Sequence, residues 1–252
     1  MKEFYADALA VRVYENRAAM GAAAADDIKA CILRCLQNKD TLNMIFAAAP
    51  SQNEVLAALA ADLQIPWERI CAFHMDEYIG LPADAPQGFG NFLREHLFGL
   101  APFGRVFYFD STAADPQAEC VRYSRLLEEN PADIVVMGIG ENGHIAFNDP
   151  PVADFADPQR VKIVALDPIC RQQQVNDGCF ARLEQVPTHA LTLTVPALMD
   201  ASHHFCIVPA PTKAKVVTAT VRGEIGTHCP ATCLRNREGA VLYLEPDSAA
   251  LL

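Results

Sequence analysis

Short apolar runs alternate with longer stretches of helical periodicity along the whole chain, and no other feature limits the possible folds as sharply. The apolar runs fall at 9–14, 42–48, 70–75, 105–109, 134–137, 161–166, 190–195, 204–208 and 241–244. Helical patterns fill the intervals at about 17–37, 53–63, 91–98, 117–128, 171–181 and 212–221. Strand followed by helix, repeated, predicts βαβ units and hence an α/β fold: a mostly parallel sheet with helices on both faces. Such a sheet is buried on both sides and demands much apolar material. The chain supplies it, with 51% hydrophobic and 20% charged residues. No Ser/Gly-rich linker and no internal repeat interrupts residues 1–252, so one domain is expected.

In an open parallel sheet, ligands bind at the carboxyl ends of the strands. The turns leaving the apolar runs therefore matter most. Asp76-Glu77-Tyr78-Ile79-Gly80-Leu81-Pro82 follows one run, and Gly138-Ile139-Gly140-Glu141-Asn142-Gly143-His144 leads from another to Asp149. Carboxylates and a histidine delivered to such an edge suit proton transfer on a small molecule. Taken alone, Asp76 and Glu77 could be a helix cap or a solvated turn. Gly80 and Pro82 make the segment read as a loop, which weakens the capping explanation. His144 has a carboxylate, Asp149, in reach to orient it.

Gly138, Gly140 and Gly143 match a dinucleotide fingerprint, but that motif needs a helix to begin at its end. Here Asn148-Asp149-Pro150-Pro151 follows instead. Gly140 and Gly143 are better read as allowing a tight turn beside a ligand. The proline-rich stretch 148–158 fits neither a helix nor a central strand. It reads as the start of a lid over about 150–182, or as a plain surface loop.

Two further strand–helix junctions offer an anion site. Ala47-Ala48-Ala49-Pro50-Ser51-Gln52-Asn53 combines small residues with hydroxyl and amide donors, and Val208-Pro209-Ala210-Pro211-Thr212-Lys213 ends in a cation. Each presents backbone N–H groups at a helix start. Singly, Ser51 could be an N-cap and Lys213 a solvated lysine; together they read as a phosphate cradle. The net charge of -11, from 31 acidic and 20 basic residues, argues against a nucleic-acid partner. No signal-peptide-like start or membrane-length apolar window is visible, so a cytoplasmic chain without a membrane partner is expected. The nine cysteines show no disulfide spacing. Cys229, Cys233 and His228 are a conceivable zinc set lacking a matching second pair, and free thiols in a reducing cytosol account for them better.

Met75-Asp76-Glu77-Tyr78-Ile79-Gly80-Leu81-Pro82 and the segment from Gly138 to Asn148 resemble two motifs of the glucosamine-6-phosphate deaminase/isomerase family, and the likeness runs nearly the full length. The resemblance implies a modified doubly wound fold and conversion of an amino-sugar 6-phosphate to fructose 6-phosphate and ammonia, with no metal or organic cofactor. By position, Asp76 resembles the base that moves a proton from C2 to C1. His144 resembles the histidine that assists ring opening, and Asp149 its carboxylate partner. Ser51, Arg171 and Lys213 fall where the family binds the 6-phosphate. Gln52, Glu77, Gly140 and Gly143 complete the expected substrate-binding set, and Asn142 joins the expected catalytic set.

Three departures stand out: Asn142 replaces a usual aspartate, Asp149 is shorter than the usual glutamate, and the phosphate loop is Ala-rich where Gly and Thr are common. No match is seen to the allosteric loops of some members. Galactosamine 6-phosphate is an alternative substrate. A 6-phosphogluconolactonase would need no C2 base, and a non-catalytic sugar-phosphate sensor would carry a helix-turn-helix for which no N-terminal residues are spare. A small phosphosugar is the expected partner, with a homo-oligomer left open.

Overall fold

A computed structural model describes residues 1–252. Its strands are β1 (Lys2–Ala6), β2 (Leu9–Val13), β3 (Leu42–Phe46), β4 (Ile70–His74), β5 (Asp76–Tyr78), β6 (Arg105–Phe107), β7 (Ile134–Met137), β8 (Val161–Ala165), β9 (His189–Leu193), β10 (His203–Ile207) and β11 (Ala240–Leu244). The helices are α1 (Arg17–Cys35), α2 (Asn53–Ala61), α3 (Phe89–Leu93), α4 (Pro116–Glu129), α5 (Pro168–Asn176), α6 (Val195–Met199) and α7 (Ala214–Arg222). No helix is long and apolar enough to cross a membrane.

Eight strands form the main sheet in the order β1-β2-β11-β10-β7-β3-β4-β6, parallel throughout except for the β1–β2 hairpin. Central β7 shows why a buried parallel strand reads as an unbroken apolar run. Ile134 and Val136 point into a core shared with α1, α2 and α3. Val135 and Met137 point into the opposite core, shared with α4, α6 and α7. The helices thus cover both faces, as the alternation predicts.

From β3 the chain winds outward through β4 to β6, then returns to the other side of β3 as β7 and continues to β10 and β11. The winding direction reverses between β3 and β7. Beyond the carboxyl ends of those two strands the connections diverge, leaving a crevice between them.

A second sheet, β5-β9-β8, is antiparallel and separate. It accounts for the main departures from the sequence reading. The run at 70–75 ends as a main-sheet strand at His74, where the Tyr123 hydroxyl accepts the His74 N–H (3.2 Å) and donates to its carbonyl (2.9 Å). With its backbone bonded to a phenol, the chain changes sheets at Met75 and pairs Asp76 with Thr192. Asp76-Glu77-Tyr78 is therefore a strand and not a loop. The segment read as a lid also divides. Residues 150–160 are irregular but stapled, because Lys162 Nζ donates to Val152 O (2.6 Å) and Asp157 Oδ2 (2.9 Å). Then β8 joins the small sheet, and α5 leans over the crevice.

Candidate active site

The crevice holds a cavity of about 460 Å³, within the range of ordinary small-molecule sites. Its walls come from the turn after β3 (Ala47 to Ser51), the crossing from β4 into β5 (Met75, Asp76), and the turns after β7 (Gly138, Gly140, His144) and β10 (Pro209, Ala210, Thr212, Lys213). Residues from α5 and the turn behind it, Gln173, Gln174, Asp177, Gly178 and Cys179, cover one side.

Gly140 and Gly143 shape the turn after β7. A Cβ on Gly140 would lie 2.0–2.3 Å from the His144 ring, so only glycine lets the imidazole lie across that turn. Gly143 has φ +90°, a conformation that disfavours side chains. The His144 N–H donates to Asn142 Oδ1 (3.1 Å), which fixes the amide orientation. His144 Nδ1 then meets two acceptors, Asn142 Oδ1 at 2.7 Å and Asp149 Oδ1 at 3.0 Å. That places the imidazole proton on Nδ1 and leaves Nε2, which has no protein partner, for a ligand. Asn142 Nδ2 donates to Asp149 Oδ1 (2.8 Å), closing a three-residue ring. Burial raises the Asp149 pKa, but hydrogen bonds from His144, Asn142 and the Asp167 N–H outweigh it and leave this carboxyl below its ordinary value. An aspartate at 142 would set a second negative charge against Asp149, so the amide matches its neighbour.

Strand alternation sends Asp76 and Glu77 in opposite directions. Asp76 faces the cavity. Burial, with a smaller contribution from Glu77, holds its pKa well above the ordinary carboxylate value. Glu77 turns away, accepting N–H groups from Tyr78 (2.9 Å), Phe89 (3.1 Å) and Gly90 (2.9 Å) at the start of α3. His74 secures the strand crossing: its Nδ1–H donates to Asp76 O (2.9 Å), while Nε2 accepts from Phe109 N–H (3.0 Å). Both ring nitrogens are committed in the neutral form, and burial depresses its pKa to about 4.

Lys213 lines the same cavity from the turn after β10. Lys29, Lys39 and Lys162 each pair with a carboxylate; Lys213 is buried and pairs with none. Burial lowers its pKa, partly countered by Asp177, Glu141 and Cys170 at longer range. A buried cation without a counter-ion is costly unless a ligand supplies the charge. Ala210, on the same turn, has φ +88°, a strained backbone held by a hydrogen bond from its N–H to Glu245 Oε1 (2.9 Å). Ser51 lines the same cavity from the β3 turn.

The sequence profile of the glucosamine-6-phosphate isomerases/6-phosphogluconolactonase family matches residues 15–243. The chain belongs to that family. It is 33% identical over 211 residues to the glucosamine-6-phosphate deaminase of Listeria monocytogenes serotype 4a (strain HCC23), spanning 84% of this chain and 88% of that one. The deaminase of Streptococcus sanguinis (strain SK36) is 30% identical over 216 residues, spanning 86% and 88%. A monomeric glucosamine-6-phosphate deaminase superposes with a TM-score of 0.88 at 24% identity, over 96% of this chain and 99% of that one. The 6-phosphogluconolactonase of Thermotoga maritima gives 0.75 at 22%, over 93% and 98%. At these identities the two solved structures attest the fold.

Of the residues that the family resemblance singled out, Ser51, Asp76, Gly140, His144 and Lys213 line the cavity. Gly143, Asn142 and Asp149 act behind His144. Three others stand elsewhere. Glu77 is the α3 cap described above. Gln52 is fully buried behind the loop, donating to Ser51 Oγ (3.1 Å) and Ile207 O (3.2 Å). Arg171 turns its Nη2 to the carbonyls of Leu183 and Val186 (2.8 Å each), tying α5 to the following turn and away from the cavity. Arg17, which the sequence reading missed, does reach the cavity wall; it is anchored by Glu54 (2.6 Å) and Pro50 O (2.7 Å). Nothing local in the sequence marks Arg17, because its place depends on α1 packing beside α2.

His144, Asp149 and the Cys170 thiol come within 4.8 Å of one another and could in principle ligate an ion. His144 and Asp149 are already bonded to each other, and burial pushes the Cys170 thiol well above its usual range. The trio suits holding a proton in place better than holding a cation. Cys229, part of the conceivable zinc set, instead contacts Thr220 Oγ1 (3.8 Å).

Proposed function

We propose that the protein isomerises and deaminates an amino-sugar 6-phosphate, converting glucosamine 6-phosphate and water to fructose 6-phosphate and ammonia. One observation carries this reading: an uncommitted carboxyl, a free imidazole nitrogen and an unpaired buried ammonium wall the same cavity. Lys213 and the backbone N–H groups of the two small-residue turns would hold the 6-phosphate. His144 Nε2 would exchange a proton with the ring oxygen as the pyranose opens to the aldehyde. Asp76 would then take the proton from C2, giving an enolamine, and return it to C1. The resulting ketose imine adds water at C2 and releases ammonia. A carboxyl with a raised pKa is a stronger base once ionised, as this abstraction requires. A lactonase has no use for such a base. The nine free cysteines fit a reducing compartment such as the cytoplasm.

The test is ammonia release from glucosamine 6-phosphate, with Asp76→Asn as control and galactosamine 6-phosphate and 6-phosphogluconolactone as competing substrates. Ammonia that vanishes in the control supports the assignment. Lactone hydrolysis without ammonia release would replace it.

A further inference from the structure

At the end of the sheet opposite the cavity, α1 and the first residue of β10 bring together three side chains with metal-binding chemistry. Cys31 and Cys35 lie one turn apart on α1, with their Sγ atoms 4.0 Å from each other. His203 faces them, and the ligating atoms of all three lie within 4.8 Å of one another. Two sulfurs on a tetrahedral zinc ion, with Zn–S near 2.3 Å, are separated by roughly 3.8 Å. The two thiols therefore need move only slightly to share an ion. We propose that Cys31, Cys35 and His203 form a site for a zinc-like divalent ion, with water as the fourth ligand.

Several features support this. Helical spacing puts the two thiols on one face of α1. The His203 N–H donates to Asp133 O (3.2 Å), which fixes its backbone, while its ring makes no hydrogen bond to the protein. Cys31 is buried, whereas Cys35 and His203 are partly exposed and leave an entry path. Two thiolates balance the charge of a divalent ion, so the complex adds no net charge to a partly buried site. Zinc binds the deprotonated thiols, so binding releases protons. The five residues of β10 separate this site from the cavity by roughly 15 Å. Its role is accordingly to clamp the last turn of α1 to the sheet and not to assist the chemistry.

The experiment uses the full-length protein, reduced and stripped with a chelator, then titrated with Co²⁺. One equivalent should bind, with a thiolate-to-cobalt charge-transfer band and the visible bands of a tetrahedral site. Zn²⁺ should bleach both and raise the melting temperature. Cys35→Ser and His203→Gln should each remove the charge-transfer band or cut the affinity at least tenfold, while Cys233→Ser leaves it intact. The proposal is overturned if the reduced, folded wild type shows no such band. It is equally overturned if the band survives unchanged in both variants, which would place the ion at another cluster. A Cys31–Cys35 disulfide that forms in air, with no metal uptake after reduction, also overturns it.

Discussion

Asp76 carries opposite consequences for activity and stability. Burial, followed by the neighbouring Glu77, raises its pKa in the folded protein. The folded state therefore holds this proton more tightly than the unfolded chain does, and ionising it at neutral pH works against folding. Asp76→Asn removes that cost along with the proposed base. We expect turnover to fall by about 10²–10⁴-fold, the usual range for a lost acid–base group, while the melting temperature rises. Turnover retained in the folded variant would remove Asp76 from the role of base. Lys213 and Arg171 form a second contrast. Lys213→Ala removes the unpaired cation, and a charged hydrogen bond worth about 1.5–3 kcal/mol corresponds to a KM increase of roughly 10–100-fold. Arg171→Ala should move KM much less and mainly loosen α5, since its guanidinium bonds the Leu183 and Val186 carbonyls. Substrate titration of both variants decides this, and a larger KM effect at Arg171 would mean that α5 turns toward the ligand.

At the scale of elements, β9 sets Asp76 and the loop carrying His144 in register. Thr192 pairs with Asp76 on one side, and its Oγ1 accepts the Phe147 N–H (3.0 Å) from the loop carrying His144. Asn148 adds a bond from Nδ2 to Leu193 O (2.8 Å). Thr192→Val keeps the shape but leaves a buried N–H without a partner, at a cost of about 1–3 kcal/mol. We expect lower stability and a reduced kcat with KM less affected; an unchanged kcat would show that the loop holds its place without β9. The turn after β10 makes a different prediction. Ala210→Gly should relieve a φ of +88°, worth about 1–3 kcal/mol less about 0.5–1 kcal/mol of glycine entropy. Urea denaturation should show a net gain, and a loss would mean that the strain is absorbed elsewhere. These contacts also explain what the sequence could disclose. The runs at 134–137 and 204–208 were legible because burial on both faces leaves an unbroken apolar signature. The β5–β9 pairing was not, because partners far apart in the chain leave no local pattern. Without β5 the opposite orientations of Asp76 and Glu77 cannot be read, and Gly80 and Pro82 weaken the capping explanation that Glu77 fulfils at α3.

Across the whole molecule, the cavity follows from the reversal of winding between β3 and β7, which the alternation of strands and helices anticipates only in outline. The motifs point to Asp76 and His144, which both line the cavity, because each motif lies within one short stretch of sequence. His74 and Arg17 act through elements that meet only in the folded chain. The buried histidines also give stability a pH dependence. Burial is the main cause that depresses His74 and His204 to about 4. His204 Nε2–H donates to Leu198 O (3.0 Å), and its Nδ1 is buried without a partner. For such groups the unfolded chain binds the proton more tightly, so stability is full above the ordinary value of 6.5 and is lost as pH falls toward 4. At 1.36 kcal/mol per pH unit, each histidine withdraws about 3 kcal/mol when acidification is complete. Raised carboxyls oppose the trend: Asp76 and Glu77 take up protons on folding, so their unfavourable contribution shrinks as pH falls. A difference measurement separates the two effects. His204→Gln retains an amide N–H for the Leu198 carbonyl but cannot titrate. Urea unfolding of wild type and variant should show the variant gaining most of about 3 kcal/mol relative to wild type between pH 7.5 and pH 4.5. A constant difference across that window would mean that His204 is protonated, or solvated, in the folded protein.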